Sequence, residues 1–296
     1  MRLVDGRRLI VKRMTPASDL TLGLTGGTIP REYLLWQAGV LDRLPAGVTH
    51  AVIDAWLEGD TTILVMRDLG ETVLTWDSRL SAARTDWVLA RLAALHRRFL
   101  AEPPSDTVSL QEGLTLFAPD RLGPAAEQGN ELARLARRGW EIFAETVPAD
   151  VAAPVLALLD DVTPLAAALA AGPLTLAHGD LTIVNMAFDG DDLVLLDWAL
   201  PMAAPGAVDV ARLVAGCSSS IEPTREAVLA SYARLAGPAH DERSLRLALL
   251  AGLLWLGWNK ALDSAEHPDP AIREQERDDL VWWIRAVRDT LEKGDL

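Results

Sequence analysis

The sequence contains a single cysteine, Cys217, among its 296 residues. One cysteine cannot form an internal disulfide, and the lack of disulfides is typical of proteins that work in a reducing compartment. The first residues, Met1 to Gly6, are too polar for a secretory signal. We therefore expect a cytoplasmic protein.

Long hydrophobic runs and excess positive charge are also lacking. The longest apolar stretch, Leu247 to Trp258, is shorter than the roughly 20 residues that cross a bilayer and predicts a buried helix. The chain has 28 Lys and Arg residues against 42 Asp and Glu residues, a formal net charge of −14. Nucleic-acid binders carry basic patches, so we expect neither a nucleic acid nor a membrane as a partner. An acidic surface attracts cationic small molecules, but solubility is the favoured explanation of this charge.

What the sequence does contain is a group of polar residues set between apolar segments. The motif His178-Gly179-Asp180 follows one apolar segment, and Asn185 comes five residues after its aspartate. A second apolar segment, preceded by a turn rich in Asp and Gly, ends at Asp197. Two antiparallel strands joined by this turn would bring Asn185 and Asp197 together.

The residue types in this group suit phosphoryl transfer. Asn185 and Asp197 offer the hard oxygen ligands that Mg²⁺ prefers, and Asp180 would orient and deprotonate an attacking hydroxyl. The alternative is that His-Gly-Asp is only a turn and Asp197 only caps a strand. The spacing of all three polar side chains favours the functional interpretation. We expect His178 to orient the loop rather than bind metal, because no second His or Cys lies at ligand spacing.

Hydrophobic periodicity divides the chain into a small β-rich part and a larger helical part. In the first part we predict a strand at 8–14, a glycine-rich loop at 21–27, a helix from Pro30 to about Leu44, and strands at 50–57 and 61–66. In the second part we predict strands at 174–177, 184–188 and 193–196, and helices at 84–99, 125–145, 149–171, 207–217, 224–235, 242–263 and 271–291.

The central motif, with Leu196-Asp197-Trp198, resembles the aminoglycoside phosphotransferase and choline kinase family, which has the two-lobed protein-kinase-like fold. The resemblance covers most of the chain and includes five further segments: Leu9 to Arg13, Arg31 to Leu35, Leu64 to Gly70, Leu92 to His96 and Pro205 to Ala211. It implies an α+β fold with a nucleotide-binding N-lobe at residues 1–70. The C-lobe at residues 71–296 would hold the catalytic loop, the metal site and the helices that bind the acceptor.

The resemblance also implies roles for individual residues. Asp180 would be the catalytic base, and Asn185 and Asp197 would hold Mg²⁺. Asp209 would support the catalytic loop by accepting hydrogen bonds from its backbone. The residues implied in binding the nucleotide, ATP or GTP, are Lys12 with its partner Glu32 and the hinge residues Met66, Arg67, Asp68 and Leu69.

The acceptor is left open by the sequence. The resemblance implies a small-molecule kinase acting on a hydroxyl of an aminoglycoside or other antibiotic, an amino alcohol or a sugar. Core packing is the default interpretation of Trp255 and Trp258, and a substrate-pocket wall that includes Asn259 is the alternative. No oligomeric state is indicated.

One departure from the family concerns the loop that covers the nucleotide. In the family this loop joins two strands that precede the lysine strand, whereas eleven residues precede Lys12 here. We expect either a start further upstream or an N-lobe truncated at its start. The glycine-rich Leu22 to Thr28 lacks the Gly-Lys-Ser/Thr ending of a P-loop.

Two other functions stay open at this stage. A kinase-like binding or regulatory module with weak or lost catalysis would account for a missing nucleotide-clasping loop. A metal-dependent hydrolase is the least favoured function, because it would need further metal ligands nearby. Asp189, Asp191 and Asp192 are better explained as a solvated turn.

Overall fold

A computed structural model describes residues 8–296 of the chain. The strands of its first part are β1 (Leu9–Met14), β2 (Val48–His50), β3 (Val52–Glu58) and β4 (Thr61–Arg67), and the helices are α1 (Leu20–Leu24) and α2 (Arg31–Gln37). Strands β1 and β3 both pair antiparallel with β4, which gives a three-stranded sheet in the order β1-β4-β3. The three strands predicted for this part are confirmed.

Two predictions for the small lobe were wrong in detail. The glycine-rich segment predicted as a loop begins with α1, because Asp19 caps this short helix by accepting a hydrogen bond from the Leu22 amide at 2.9 Å. Helix α2 ends at Gln37 and does not run on to Leu44. It stops because Gly39 takes a left-handed φ of 65°, a conformation that terminates helices.

The second part of the chain is mainly helical and encloses most of the hydrophobic core. Its elements are α3 (Ala82–Arg98), α4 (Leu110–Leu114), α5 (Pro119–Glu127), α6 (Glu131–Thr146), α7 (Ala149–Asp160), α8 (Thr163–Ala170), β5 (Leu174–Ala177), β6 (Met186–Asp189), β7 (Asp192–Leu195), β8 (Met202–Pro205), α9 (Ala207–Cys217), α10 (Arg225–Ala236), α11 (Glu242–Glu266) and α12 (Pro270–Glu292). Helix α11 is its centre, since it packs against α6, α9 and α12 and is buried around most of its circumference. The predicted α+β class, with a small β-rich lobe and a larger helical lobe, is confirmed.

Two helices predicted as continuous are each divided. The segment predicted at 125–145 spans α5 and α6, and Asn130 caps the start of α6 through a bond from the Ala133 amide at 3.0 Å. The segment predicted at 149–171 spans α7 and α8, which meet at 87°. Pro164 lies in the first turn of α8, where its missing N–H is tolerated, and it cannot continue α7.

Two small sheets position the central motif. Strand β6 pairs antiparallel with β7, and β2 pairs with β7 in parallel. Strand β5 pairs antiparallel with β8, a strand that the sequence pattern did not indicate. The residues between β5 and β6, and those just after β7, therefore lie at the ends of paired strands.

The prediction of a truncated N-lobe concerns residues that the structure covers only in part. Residues 1–7, and with them the segment Met1 to Gly6, lie outside the described residues. Within residues 8–296 no strand precedes β1. In the same range no single helix is long and apolar enough to cross a membrane, although α7 and α8 reach that length and composition when taken together.

Candidate active site

The loop between β5 and β6 holds the His-Gly-Asp motif and ends in a single 3-10 turn, Ile183–Asn185. Gly179 adopts a left-handed φ of 83°. A Cβ at this position would overlap the carbonyl oxygen of Leu200. Glycine is therefore required for both its conformation and its close approach to the neighbouring chain.

A buried aspartate of helix α9 binds the backbone of this loop. Asp209 accepts hydrogen bonds from the backbone amides of His178 and Gly179, each at 2.8 Å. Nε2 of His96 lies 3.1 Å from the same carboxylate. Burial alone would raise the pKa of Asp209, but the bond from His96 and the nearby imidazoles hold that pKa below its ordinary value. The backbone contacts are the ones expected of Asp209, and their effect on activity stays a prediction.

His178 joins the catalytic loop to the strand that leads to Asp197. Its Nε2 lies 2.9 Å from the carbonyl oxygen of Leu196, which can only accept, so Nε2 donates. The imidazole also packs on Trp198, with the ring centroids 4.6 Å apart. The hydrogen bond expected of this side chain is present, and its role in orienting the loop stays a prediction.

Asp180 and Asn185 are held together at the two ends of the loop. Nδ2 of Asn185 donates to the carbonyl oxygen of Asp180 at 2.9 Å and approaches its Oδ2 at 3.3 Å. The amide of Leu196 donates to the Asn185 carbonyl at 2.9 Å, next to the β6-β7 ladder. The strand pair therefore brings Asn185 beside Leu196 and Asp197, as predicted.

Lys12 of the small lobe reaches across to this group. Its Nζ lies 2.7 Å from Oδ1 of Asp197 and 3.4 Å from Oε2 of Glu32, so the ion pair expected between Lys12 and Glu32 is present. Asp197 itself has a left-handed φ of 58°, which is uncommon outside glycine and recurs at functional sites.

The electrostatics of this triad are set by burial and by opposite charges. Burial opposes the charge of Lys12, but Glu32 and Asp197 outweigh it and raise the pKa of the Lys12 ammonium to about 12. Burial raises the pKa of Glu32, and the charge of Asp197 adds to this effect while Lys12 opposes it. Lys12 is thus a permanent cation at neutral pH, and its contact with phosphates stays a prediction.

The oxygen donors present fit Mg²⁺ bound together with a nucleotide. Asp197 offers a carboxylate, and the amide nitrogen of Asn185 points toward Asp180, which leaves the amide oxygen on the other side. Within residues 8–296 no group of three or more His, Cys, Asp or Glu side chains is arranged to hold a metal. Mg²⁺ is commonly held by one or two carboxylates and by substrate phosphates rather than by a full protein cage. The donor set agrees with that mode.

The residues predicted as the hinge, Met66 to Leu69, lie at the end of β4. Several of their polar groups form hydrogen bonds or ion pairs. Met66 is in the ladder, and the guanidinium of Arg67 pairs with Asp189 at 2.7 Å. The Asp68 amide donates to the Arg8 carbonyl at 3.2 Å, and the carbonyl oxygen of Leu69 accepts from Thr72. Their part in nucleotide binding stays a prediction.

The tryptophans considered for the acceptor pocket are both buried. Trp255 and Trp258 are 4% and 5% exposed, and the indole N–H of Trp255 donates to the carbonyl oxygen of Gly113. Asn259 donates to Asp263 at 2.8 Å. These contacts agree with core packing, and a substrate role for the three residues stays a prediction.

One residue of the site was missed by the sequence analysis. Arg212 on α9 lies with Nε 3.2 Å and Nη2 2.9 Å from Oδ1 of Asp180. The available signal was an arginine inside an otherwise apolar helix, one turn after Asp209. The site therefore consists of two ion pairs, Arg212 with Asp180 and Lys12 with Asp197. Asn185 lies between them, because its side chain contacts Asp180 and its carbonyl accepts from the Leu196 amide.

Comparisons with known proteins agree with this geometry. The profile of the phosphotransferase enzyme family, APH, matches residues 2–247. No curated protein matches the sequence.

Several solved structures share the fold at low sequence identity. An aminoglycoside phosphotransferase from Alicyclobacillus acidocaldarius is 17% identical with a TM-score of 0.51, covering 99% of this chain and 89% of its own. One from Streptomyces rimosus, in complex with ADP and streptomycin, is 18% identical with a TM-score of 0.53, covering 86% of this chain and 88% of its own. A choline kinase from Streptococcus pneumoniae is 14% identical with a TM-score of 0.54, covering 95% of this chain and 87% of its own. These matches confirm the protein-kinase-like fold.

Proposed function

Because the chain belongs to the phosphotransferase enzyme family, we propose that it transfers the γ-phosphoryl group of ATP or GTP to a hydroxyl group of a small molecule. The observation that carries the proposal is the contact between the lobes at the predicted site, where Lys12 lies 2.7 Å from Asp197. Asn185, which contacts Asp180, lies beside the adjacent Leu196. Phosphoryl transfer depends mainly on positioning and charge neutralisation, and this group provides both.

Each residue has a distinct part in the proposed reaction. The acceptor oxygen attacks the γ-phosphorus while its proton passes to the carboxylate of Asp180, and the bond to the β-γ bridging oxygen breaks to release the nucleoside diphosphate. Lys12 would neutralise charge on the phosphates. Asn185 and Asp197 would hold Mg²⁺, which supplies further charge neutralisation when bound.

The proposed acceptor is a hydroxylated amine such as an aminoglycoside or an amino alcohol. A cavity of about 650 Å³ between α10, α12 and the turn after α9 supports this choice, because its lining includes the carboxylates of Glu226, Glu274 and Asp278. Cavities of this size suit small ligands. One contact connects the cavity with the catalytic loop: Ser218 lines the cavity, and the adjacent Cys217 accepts a bond from the Ile183 amide at 3.3 Å.

A transfer screen tests the proposal. The full chain would be incubated with Mg²⁺, with ATP or GTP, and with a panel that contains choline, ethanolamine, streptomycin, kanamycin and neutral sugars. We expect nucleoside diphosphate and phosphorylated product to form in equal amounts with at least one hydroxylated amine, and less product with the neutral sugars. Nucleotide binding without transfer to any acceptor would favour the binding module and contradict the proposal.

A further inference from the structure

Arg212 is the one cation that contacts the carboxylate of Asp180 among the residues described, 8–296. Nε and Nη2 both approach Oδ1, at 3.2 Å and 2.9 Å, and the Arg212 side chain is 13% exposed. The other oxygen, Oδ2, has only the longer approach of Asn185 Nδ2 at 3.3 Å. The two oxygens of Asp180 therefore differ: Oδ1 is bound by two nitrogens of Arg212, and Oδ2 has one longer contact with Asn185.

The position of the Arg212 guanidinium depends on two neighbours, one that contacts it and one that leaves space for it. The Arg212 Cζ lies 5.6 Å from the ring centroid of Trp255, within the range of a cation–π contact. One helical turn after Arg212, Gly216 leaves room for the guanidinium, since a Cβ at position 216 would overlap Nη1 of Arg212. Residues four apart lie on the same face of a helix, so α9 has a gap where the guanidinium passes.

Helix α9 therefore contacts the first three residues of the catalytic loop in two ways. Asp209 holds the backbone of His178 and Gly179, and Arg212 holds the side chain of the next residue. The first contact sets where the loop lies, and the second sets how the Asp180 carboxylate is rotated about its own side chain.

We propose that Arg212 is a positioning residue, which with Gly216 turns Oδ2 of Asp180 toward the acceptor hydroxyl. This inference rests on the proposed function, in which Asp180 takes the proton. By binding Oδ1 from two nitrogens, Arg212 leaves Oδ2 to receive the proton as the acceptor oxygen bonds to phosphorus. A carboxylate free to rotate would spend part of its time with neither oxygen aimed at the hydroxyl, and misplacement by about 1 Å is known to cost around 100-fold in rate.

Gly216→Ala distinguishes a positioning role of Arg212 from a role in stability alone. In Gly216→Ala the positive charge is kept, and alanine favours a helix over glycine by roughly 1 kcal/mol. The variant should fold at least as well as wild type, but the added methyl group displaces the guanidinium. Loss of activity without loss of stability is expected only if the position of Arg212 matters for the reaction.

The experiment compares Arg212→Gln, Arg212→Lys, Gly216→Ala and the double variant Arg212→Gln/Gly216→Ala. Nucleoside diphosphate formation is measured in the full chain with Mg-ATP and the pooled acceptor panel, together with the KM for ATP and the unfolding temperature. Arg285→Gln is the control, because Arg285 is an exposed arginine on α12.

We expect kcat to fall about 100-fold in Arg212→Gln and in Gly216→Ala, with a smaller loss in Arg212→Lys, while the KM for ATP changes less than twofold. The double variant should be no slower than Arg212→Gln, because Gly216 acts only through Arg212. Rates within twofold of wild type in both single variants, or strictly additive losses, would overturn the inference.

Asp180→Asn separates this inference from the proposed function. An inactive Asp180→Asn beside active Arg212 and Gly216 variants would overturn the role of Arg212 alone. An active Asp180→Asn, or a wild type that forms no nucleoside diphosphate, would overturn the proposed function and the inference with it.

Discussion

At the scale of single residues, the site depends on a lysine between two carboxylates in different surroundings. Glu32 is 2% exposed as a residue, whereas the Asp197 side chain is 47% exposed. A charge buried like that of Glu32 is costly unless it is paired. Lys12 therefore has a part in the stability of the small lobe as well as the proposed contact with phosphates.

Lys12→Met tests whether the buried charge of Glu32 needs Lys12 as its partner. Removing one partner of a buried ion pair typically costs 3–5 kcal/mol, and because Lys12 is partly exposed we expect a loss of about 2 kcal/mol in the free energy of unfolding at pH 8. The double variant Lys12→Met/Glu32→Gln should recover most of that loss, since no buried charge is left without a partner. Urea denaturation of the three proteins measures both effects.

The loss in the free energy of unfolding of Lys12→Met should also depend on pH. Burial raises the pKa of Glu32 above its ordinary 4.5, so the folded state binds this proton more tightly than the unfolded chain. The free energy of unfolding therefore falls as pH rises from 4.5 through the folded-state pKa. The effect should be largest in Lys12→Met, where Lys12 no longer opposes the shift. A deficit that is constant from pH 5 to pH 8 would contradict this account of Glu32.

At the scale of secondary-structure elements, α9 organises the catalytic loop. It carries Asp209 and Arg212, and Cys217 near its end accepts a bond from the Ile183 amide. These contacts reach the loop at residues 178–180 and at Ile183. Substitutions on α9 should therefore lower kcat, although α9 is not expected to contact the nucleotide or the metal.

Asp209→Asn tests the contact at the start of the loop. An amide offers one oxygen to the three donors that the carboxylate now accepts from, and each bond to a charged group is worth about 1.5–3 kcal/mol. We expect a loss of about 3 kcal/mol in the free energy of unfolding and a lower kcat. The pKa of Asp209 is held below its ordinary 3.8, so its contribution is complete above that pH and is lost only as pH falls through the lower folded-state value. The deficit should hence be the same at pH 6 and pH 8 in thermal and urea denaturation; a deficit that disappears in that interval would refute the assignment.

The elements around the motif could be predicted from sequence because their signals are local. The strands at each side of the loop are short apolar runs, and the Asp/Gly turn sets the β6-β7 pairing. Arg212 was missed because its partner Asp180 lies 32 residues earlier in the chain, and no local pattern reports such a contact. Strand β8 was missed for the same reason: it is four residues long, includes Pro205 and owes its pairing to the distant β5.

At the scale of the whole molecule, the two lobes meet at the site. Lys12 of the small lobe pairs with Asp197 of the large lobe, and β2, although it precedes residue 70, pairs with β7. A nucleotide held by Lys12 and by a metal on Asp197 would add a second bridge between the lobes. The domain boundary predicted at residue 70 remains a prediction.

Binding of Mg-ATP should therefore stabilise the whole chain. At a hundredfold excess over Kd, a ligand that binds only the folded state adds about 2.7 kcal/mol to the free energy of unfolding. We expect a higher unfolding temperature with Mg-ATP, a smaller increase with ATP in the presence of a chelator, and a smaller increase in Asp197→Asn. An equal increase in all three cases would show that the nucleotide binds without the metal site.

We propose that Asp180 takes the proton in a phosphoryl transfer, and that the site binds the nucleotide independently of Asp180. The most direct measurement is turnover of Asp180→Asn, made beside its affinity for Mg-ATP. We expect Mg-ATP affinity within a few fold of wild type and a turnover lower by about 10²–10⁴, the usual contribution of a positioned base. Near-wild-type turnover with intact binding would contradict the claim.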